Sequence, residues 1–459
     1  MAELTGARAS WSGKWMFILA AAASAVGLGN MWRFPYLAAK YGGGTFIFVY
    51  VCLVFTFGVT MLLLETSLGR KTGQSAIGAF SSFGKKYKFI GVLASIVPFI
   101  ITPYYCIIGG WVAKYCFSFF SGAGASAADG GDFFTTFIAS PDNSTLWMLV
   151  FMAICFIVVS LGVNGGIEKA NLVMMPLLLV FAVGIAIFTA TIPGAGEGIA
   201  YYLVPEFDKL SPELFIGALG QMFYSLSIAM GIMITYGSYL DKKENLPQSV
   251  SWIGGSDLVV SLLAGMMIVP AAFITLGSAD AVAQHSGPSL MFIILPQVFE
   301  QMGGVATVVG TIFFLLVLFA ALTSAISLIE TLVSIICDGL GWNRRKSLIA
   351  VIIWVVGVGC FVNAGYNGLS FIQPLGDGST LLDFFDFISN SVLMPIVALL
   401  TLVFVGWVIK PKILVDEIKQ SSPFKLEKAW VVMVKYIAPV LVAVILVAYV
   451  GAQFGFIKI

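Results

Sequence analysis

Two closely spaced glycines and two polar residues interrupt a long apolar stretch near the start of the chain. Residues 24–35 read SAVGLGNMWRFP, in which Gly27 and Gly29 flank one leucine and Asn30 and Arg33 follow. Glycine inside a helix costs about 1 kcal/mol relative to alanine. Backbone groups that such a break frees within a membrane must be satisfied by protein or by a polar cavity. The pattern predicts a broken helix that faces a functional site.

The two ends of a broken helix have opposite chemistry. The first half would end near Ala25 or Val26, where unpaired carbonyl oxygens attract a cation. The second half would begin near Leu28 or Gly29, where free N–H groups attract a carboxylate. Transporters use such helix ends to hold ions and substrates at the middle of the membrane. The segment therefore predicts a site for a zwitterion together with a cation.

Two simpler interpretations compete with this one. Arg8, Lys14 and the small residues 20–23 could belong to a cleaved signal peptide. The glycines could also be packing positions, because small residues let membrane helices approach closely. Against the signal peptide, polar residues follow within the same apolar stretch, which continues to Ala39.

The composition places this segment in a protein with many membrane spans. The chain has 459 residues, of which 59% are hydrophobic and 10% are charged, and its mean hydropathy is +1.00. A net charge of +1 gives no electrostatic basis for binding nucleic acid. A single histidine rules out a histidine-based metal centre and a catalytic triad, so we expect no enzyme.

The hydropathy pattern predicts an all-α integral membrane protein with about eleven spans. We expect these spans at residues 14–38, 43–69, 89–119, 145–162, 168–192, 213–240, 248–276, 304–336, 347–363, 381–409 and 429–456. Almost all lysines and arginines lie in the loops on one side, which predicts a multi-pass protein of the cell membrane with a cytoplasmic N-terminus. An odd number of spans then places the C-terminus outside the cell.

A second disturbance of the helical pattern occurs five spans after the first. Residues 220–231 read GQMFYSLSIAMG, and the two serines can compete with helical hydrogen bonding. This segment alone could be an ordinary packed helix. Its position predicts a second broken helix and two inverted repeats, at residues 1–192 and 213–409, with a peripheral span at residues 429–456.

The first break resembles the first membrane helix of the neurotransmitter:sodium symporter family, which carries much the same string, AVGLGN followed closely by RFP. The string FAALTSA at residues 319–325 also closely resembles the family. The resemblance extends through span 11. It implies a leucine-transporter-like fold with discontinuous helices 1 and 6. It also implies sodium-coupled symport of an L-amino acid across the lipid bilayer by alternating access.

The resemblance further implies two sodium sites, whose ligands are the oxygen atoms that a hard cation prefers. The first site would use the Ala25 carbonyl with the side chains of Asn30, Ser225 and Asp257. The second would use the carbonyls of Ala23, Val26 and Ala320 with the hydroxyls of Thr323 and Ser324. A polar packing patch is the alternative for the two hydroxyl residues of span 8.

Asp257 occupies a position where many members of the family have asparagine. An aspartate within an apolar span costs about 2.5 to 3.5 kcal/mol unless it is paired. Its neighbours Tyr50, Gln221, Ser225 and Ser261 resemble the chloride pocket of animal members. We expect Asp257 to supply the negative charge that chloride supplies there, so that transport is independent of chloride. The alternative is a protonated structural carboxyl.

A substrate pocket is implied between the two breaks and spans 3 and 8. Its residues would be Ala25, Gly27, Leu28, Gly29, Ile101, Tyr105, Tyr224, Ser225, Ser227, Met230, Ser324 and Leu328. The Tyr105 hydroxyl would bind the substrate carboxylate. Monoamine transporters have an aspartate in place of Gly27, so glycine implies a substrate that brings its own carboxylate. The mostly apolar lining, with an adaptable Met230, predicts hydrophobic and aromatic substrates and excludes charged ones.

Gates on both sides of this pocket are also implied by the resemblance. The outer gate would consist of Arg33 and Asp386, and the inner gate of Arg8, Asp338, Trp11 and Tyr239. One such ion pair alone could be a surface salt bridge of little energetic value. Two pairs on opposite sides of one site indicate gating.

Span 5 carries a predicted hinge, with Gly166 followed ten positions later by Pro176. Proline removes a helical hydrogen bond and glycine loosens the helix, so the cytoplasmic end could unwind and admit water to the second sodium site. An ordinary kinked helix is the alternative.

Two other functions remain open from the sequence. A proton-coupled permease would leave the hydroxyl pair Thr323 and Ser324 without an explanation. A membrane sensor that binds an amino acid without moving it is disfavoured only by the paired gates.

Overall fold

The computed structural model describes residues 10–278, 281–282 and 288–457. Apart from one isolated β-bridge between Gly43 and Pro205, regular structure in these residues is helical. Nine described helices are long and apolar enough to cross a membrane, and they match predicted spans 2 to 5 and 7 to 11. Their bounds are Gly44–Thr72, Lys85–Phe120, Pro141–Ser160, Val163–Thr191, Leu246–Ile274, Gly303–Leu340, Arg344–Tyr366, Leu381–Val408 and Glu427–Gln453.

Span 1 is broken at the predicted place. Its two halves, Lys14–Ala25 and Gly29–Lys40, are bent by 53° relative to each other. Between them Val26 has an extended conformation, with φ −74° and ψ 103°. The prediction of a discontinuous first helix is therefore confirmed.

Span 6 is broken as well, although each of its halves is too short to cross a membrane alone. The halves are Pro212–Ser225 and Ile232–Gly237. The connecting turn contains three residues with positive φ, namely Ser227, Ala229 and Gly231. By length and composition the described residues therefore contain up to ten spans, counting the two halves of span 1 as one, and the two short helices of span 6 lie where the remaining span was predicted.

Shorter helices connect the spans. They include Ala76–Ser81, Asp132–Ala139, Ala195–Leu203, Leu290–Glu300 and Lys412–Lys419. The last of these is held by a fully buried ion pair between Glu417 and Arg70, which is at the end of span 2. The same arginine donates to the Glu244 carbonyl at 2.7 Å, so the loops after spans 2, 6 and 10 are tied together.

Spans 3 and 8 form the centre of the bundle: they pack against each other, and span 8 also packs against span 1. In the most apolar stretch of span 3, 72% of the residues are buried, compared with 28% in span 11. Both broken helices lie among these buried elements, so their free backbone groups face protein rather than lipid. This arrangement positions the site.

Candidate functional site

The glycines of the first break allow two other spans to approach its backbone. A Cβ atom on Gly27 would lie 2.6 Å from Ser324 Oγ and 2.9 Å from the Tyr105 hydroxyl oxygen. A Cβ atom on Gly29 would lie 2.6 Å from a ring carbon of Tyr224. Spans 3, 6 and 8 therefore contact the broken segment at positions that only glycine permits.

Asn30 connects the break to spans 6 and 7. Its side-chain oxygen accepts the Gly27 N–H at 2.8 Å. Its Nδ2 lies 2.9 Å from Ser225 Oγ, 2.7 Å from Asp257 Oδ1 and 2.8 Å from Ser261 Oγ. The structure thus brings together the side chains expected at the first sodium site, and Ala25 lines the adjoining cavity.

Asp257 is completely buried, and its contacts are to neutral groups. Ser225 donates to Oδ1 at 2.7 Å and Tyr50 donates to Oδ2 at 3.1 Å. Nearby, Gln221 donates to the Gly29 carbonyl at 3.0 Å. Within the described chain no lysine or arginine forms an ion pair with Asp257. A buried carboxylate needs a compensating charge, which a bound cation would supply.

The residues expected at the second sodium site are brought together in part. Ser324 Oγ donates to the carbonyls of Ser24, at 3.1 Å, and Val26, at 3.2 Å. Thr323 instead donates within its own helix, to Phe319 at 3.0 Å and Ala320 at 3.1 Å. Ala23 and Ala320 are fully buried.

Sequence reasoning missed the Ser24 carbonyl, which also accepts from Ser227 Oγ at 3.2 Å. It links both breaks to span 8, because Ser324 donates to it as well. A backbone carbonyl cannot be recognised from the type of its residue, since every residue has one. Only its place one residue before the predicted helix end could have suggested it.

A cavity of about 30 Å³ lies between the two breaks and spans 3 and 8. All twelve residues expected to bind substrate line it, together with Ser24, Asn30 and Ile232. None of the residues lining this described cavity is charged. The Tyr105 hydroxyl accepts the Leu28 N–H at 3.3 Å, so it lies at the start of the second half of span 1.

The turn of the second break is supported by a carboxyl group that the sequence analysis did not single out. Glu65 of span 2 is buried, and its Oε1 accepts the Ala229 N–H at 2.7 Å. Ala229 has φ 63°, a left-handed conformation that residues with a Cβ atom rarely adopt. A lone acidic residue within the apolar span 2 was the signal for this contact.

Replacing Ala229 with glycine should stabilise this turn. Left-handed backbone costs a residue with a Cβ about 1 to 2 kcal/mol, and glycine loses part of that gain through greater freedom in the unfolded chain. We expect a net stabilisation of about 0.5 to 1 kcal/mol, seen as a higher apparent melting temperature in detergent. Ala350→Gly, within span 9, is the opposite control and should lower that temperature. A lower melting temperature for Ala229→Gly would contradict the assignment of strain.

The two residues predicted to form the outer gate, Arg33 and Asp386, make no direct ion pair with each other in the described structure. Arg33 donates to the Tyr449 hydroxyl at 3.3 Å and lies 5.5 Å from the centre of the Tyr224 ring. Asp386 Oδ1 accepts from Tyr104 at 3.1 Å and from Asn390 at 2.6 Å. The sequence analysis did not predict these intervening partners.

The residues predicted to form the inner gate are described only in part, because Arg8 lies outside the described residues. Trp11 donates its indole N–H to the Tyr236 carbonyl at 3.0 Å and packs edge-on against Tyr239. Asp338 accepts the Ser75 N–H at 2.7 Å.

Sequence reasoning missed an ion pair next to the inner gate. The Tyr239 hydroxyl donates to Glu330 at 2.9 Å, and Glu330 is paired with Arg344 at 2.6 Å. Span 8 therefore holds the second half of span 6 on this side.

The predicted hinge residues of span 5 lie in different local structure. Gly166 belongs to a widened turn, Val163–Ile167, and a Cβ atom there would lie 1.9 Å from the Val158 carbonyl oxygen. Pro176 lies within the helix Glu168–Thr191, which is wound along its whole length. The role of these two residues as a hinge stays a prediction.

Comparison with known proteins identifies relatives of this chain. The model of the sodium:neurotransmitter symporter family matches residues 8–127 and 134–454. The sodium-dependent transporter YhdH of Bacillus subtilis, itself uncharacterised, is 36% identical over 96% of this chain and 97% of its own length. The human sodium- and chloride-dependent GABA transporter 2 is 26% identical over 91% of this chain and 76% of its own length.

The fold is also similar to a solved structure, that of MhsT in complex with L-phenylalanine. The TM-score is 0.86 at 34% sequence identity, and the match covers 96% of this chain and 99% of that chain.

Proposed function

Because the chain belongs to the sodium:neurotransmitter symporter family, we propose that it couples the inward movement of sodium to the uptake of hydrophobic and aromatic L-amino acids. It is a multi-pass membrane protein of a sodium-dependent transporter family, not an enzyme. The observation that carries the proposal is the cavity between the two broken helices. It adjoins the buried carboxylate of Asp257 and the free backbone ends of span 1.

The chemistry of the cavity supports a zwitterion with an apolar side chain. N–H groups at the start of the second half of span 1, with the Tyr105 hydroxyl, would bind the carboxylate. Carbonyl groups at the end of the first half would bind the amine. Ile101, Met230 and Leu328 line the part available to the side chain. The solved structure of MhsT, which contains L-phenylalanine, supports an aromatic substrate.

Two sodium sites are part of this proposal. At the first, Asn30, Ser225 and Asp257 would hold the ion with the Ala25 carbonyl. At the second, Ser324 lies within hydrogen-bond distance of the Val26 carbonyl, as a shared ligand set requires. Rotation of the Thr323 hydroxyl away from its own helix would complete the set.

We also propose that transport does not require chloride. The Asp257 carboxylate accepts hydrogen bonds from Tyr50 and Ser225, and Asn30 connects it to Ser261. Tyr50, Ser225 and Ser261 are among the four residues that resemble a chloride pocket. A fixed negative charge at this position would replace the anion and attract sodium. The human relative is named as chloride-dependent, so the two proteins would differ in this requirement.

Movement would proceed by alternating access between the two predicted repeats, with Arg33 and Asp386 closing the outer side and Trp11, Tyr239 and Asp338 the inner side. The lysine-rich loops support a cytoplasmic N-terminus and an extracellular C-terminus.

Uptake of radiolabelled tryptophan into proteoliposomes tests this function. We expect uptake to need an inward sodium gradient, to be lost when potassium replaces sodium, and to be unchanged when gluconate replaces chloride. Excess unlabelled phenylalanine should compete, whereas lysine and glutamate should not. Uptake without sodium, driven by a proton gradient, would instead indicate a permease. Binding of tryptophan without uptake would indicate a sensor.

A further inference from the structure

Two consecutive residues of the N-terminal segment contact different parts of the molecule. Trp11 bonds to the second half of span 6 through its indole N–H, which donates to the Tyr236 carbonyl, and to the turn that follows through its backbone N–H, which donates to the Tyr239 carbonyl at 3.2 Å. Ser12 bonds to span 5 near its start, where the Ser12 N–H and hydroxyl each donate to Glu168 at 2.7 Å. The segment therefore bridges spans that belong to different predicted repeats.

Glu168 is a buried side chain whose two carboxylate oxygens both receive hydrogen bonds from this segment. Asn164, one turn earlier, completes the contact. Its Nδ2 donates to the Ser10 carbonyl at 3.0 Å, to Ser12 Oγ at 3.0 Å and to Glu168 Oε1 at 3.1 Å. These bonds join the N-terminal segment to span 5 as one unit.

The region behind this contact contains polar groups without partners. Asn171, nearly one turn after Glu168, is buried, and neither its Oδ1 nor its Nδ2 has a hydrogen-bond partner. Pro176 leaves the carbonyl of residue 172 without its helical donor. Water reaching this region would form hydrogen bonds with these groups. The start of span 5 is therefore suited to opening once the contact between Ser12 and Glu168 is released.

We propose that Ser12, Asn164 and Glu168 form a clasp that makes the N-terminal segment and the first turns of span 5 separate together when the inner gate opens. The proposal rests on the alternating-access function proposed above, and it assigns Glu168 as a positioning residue of that gate. If Ser12 moved away while span 5 stayed in place, the buried Glu168 carboxylate would lose two hydrogen-bond donors. Because such a group must regain hydrogen bonds, the departure of Ser12 favours exposure of Glu168 to water.

Hydrogen–deuterium exchange of the full chain tests the clasp without measuring transport. In Glu168→Gln, the amide would present a second donor to the Ser12 N–H and weaken the contact. We expect exchange to rise by about threefold or more both in residues 10–14 and in residues 163–172. Glu197→Gln, an exposed glutamate of a loop helix, is the matched control and should change neither segment.

Sodium provides a readout that a purely structural role would not change. In the unmodified protein, sodium should slow exchange in both segments relative to potassium, and Glu168→Gln should reduce this effect in both. A rise in only one segment, or in neither, would overturn the clasp. If exchange in the core of span 8 also rises, Glu168→Gln has disturbed the fold. Ser12→Ala is then the deciding variant, and the clasp again requires exchange to rise in both segments. An absent sodium effect in the unmodified protein would count against the proposed function instead.

Discussion

Replacement of Asp257 with asparagine should reduce sodium-dependent uptake in chloride-free buffer by about tenfold or more. Removing one member of a buried, hydrogen-bonded charge pair costs about 2 to 5 kcal/mol, and 1.4 kcal/mol corresponds to a factor of ten. The bonds from Tyr50 and Ser225 place the lost charge next to the expected sodium ligands. Asparagine preserves the shape of the side chain, so the loss should reflect charge rather than packing.

The measurement is the sodium concentration for half-maximal uptake, with gluconate or chloride as the anion. For Asp257→Asn we expect this sodium concentration to be much higher than in the unmodified protein when gluconate is the anion. Chloride should bring it part of the way back. Asp208→Asn, an exposed aspartate in a loop, is the control and should behave as the unmodified protein does. Full activity of Asp257→Asn in gluconate would disprove the proposal that this carboxylate replaces chloride.

Gly27→Ala should weaken substrate binding by about 10- to 100-fold. The added methyl would meet Ser324 Oγ at 2.6 Å and the Tyr105 hydroxyl at 2.9 Å, two groups that form the wall of the cavity. Overpacking of this kind costs about 1 to 3 kcal/mol. The methyl would also move Tyr105 away from the N–H groups that should share the substrate carboxylate.

Equilibrium binding of radiolabelled substrate in sodium measures this effect, with the melting temperature as a check on folding. Gly357→Ala is the matched control, because a Cβ atom there meets nothing within 4 Å and alanine favours the helix. We expect unchanged binding in the control. Binding to Gly27→Ala at the affinity of the unmodified protein would show that the substrate does not occupy this part of the cavity.

Features with a local chemical cause could be predicted from the sequence. The glycines around Leu28 break span 1 within a residue of the expected positions, and the second break falls at the predicted serines. The spans could be predicted from long apolar stretches, because each helix must be long enough to cross the membrane by itself. The bounds of span 3, predicted at residues 89–119, are Lys85–Phe120 in the structure.

Features that depend on distant partners could not be predicted in this way. The Ser24 carbonyl has the same chemical form as every other carbonyl, and its role depends on where span 8 lies. Likewise, the sequence suggests a pairing of Arg33 with Asp386 but cannot show that Asn390 bonds the aspartate instead. Such choices depend on distances between spans far apart in the chain.

Span 11 was predicted to be peripheral, and 28% of the residues in its most apolar stretch are buried. Its Tyr449 nevertheless reaches Arg33, from which its hydroxyl accepts a hydrogen bond, and occupies the space left by Gly220. Of the nine long helices that the structure describes, the one with the smallest buried share is thus bonded to Arg33. If Arg33 closes the outer side as proposed, a bilayer thickness that tilts span 11 would shift a partner of Arg33 and so make this gate sensitive to the surrounding membrane.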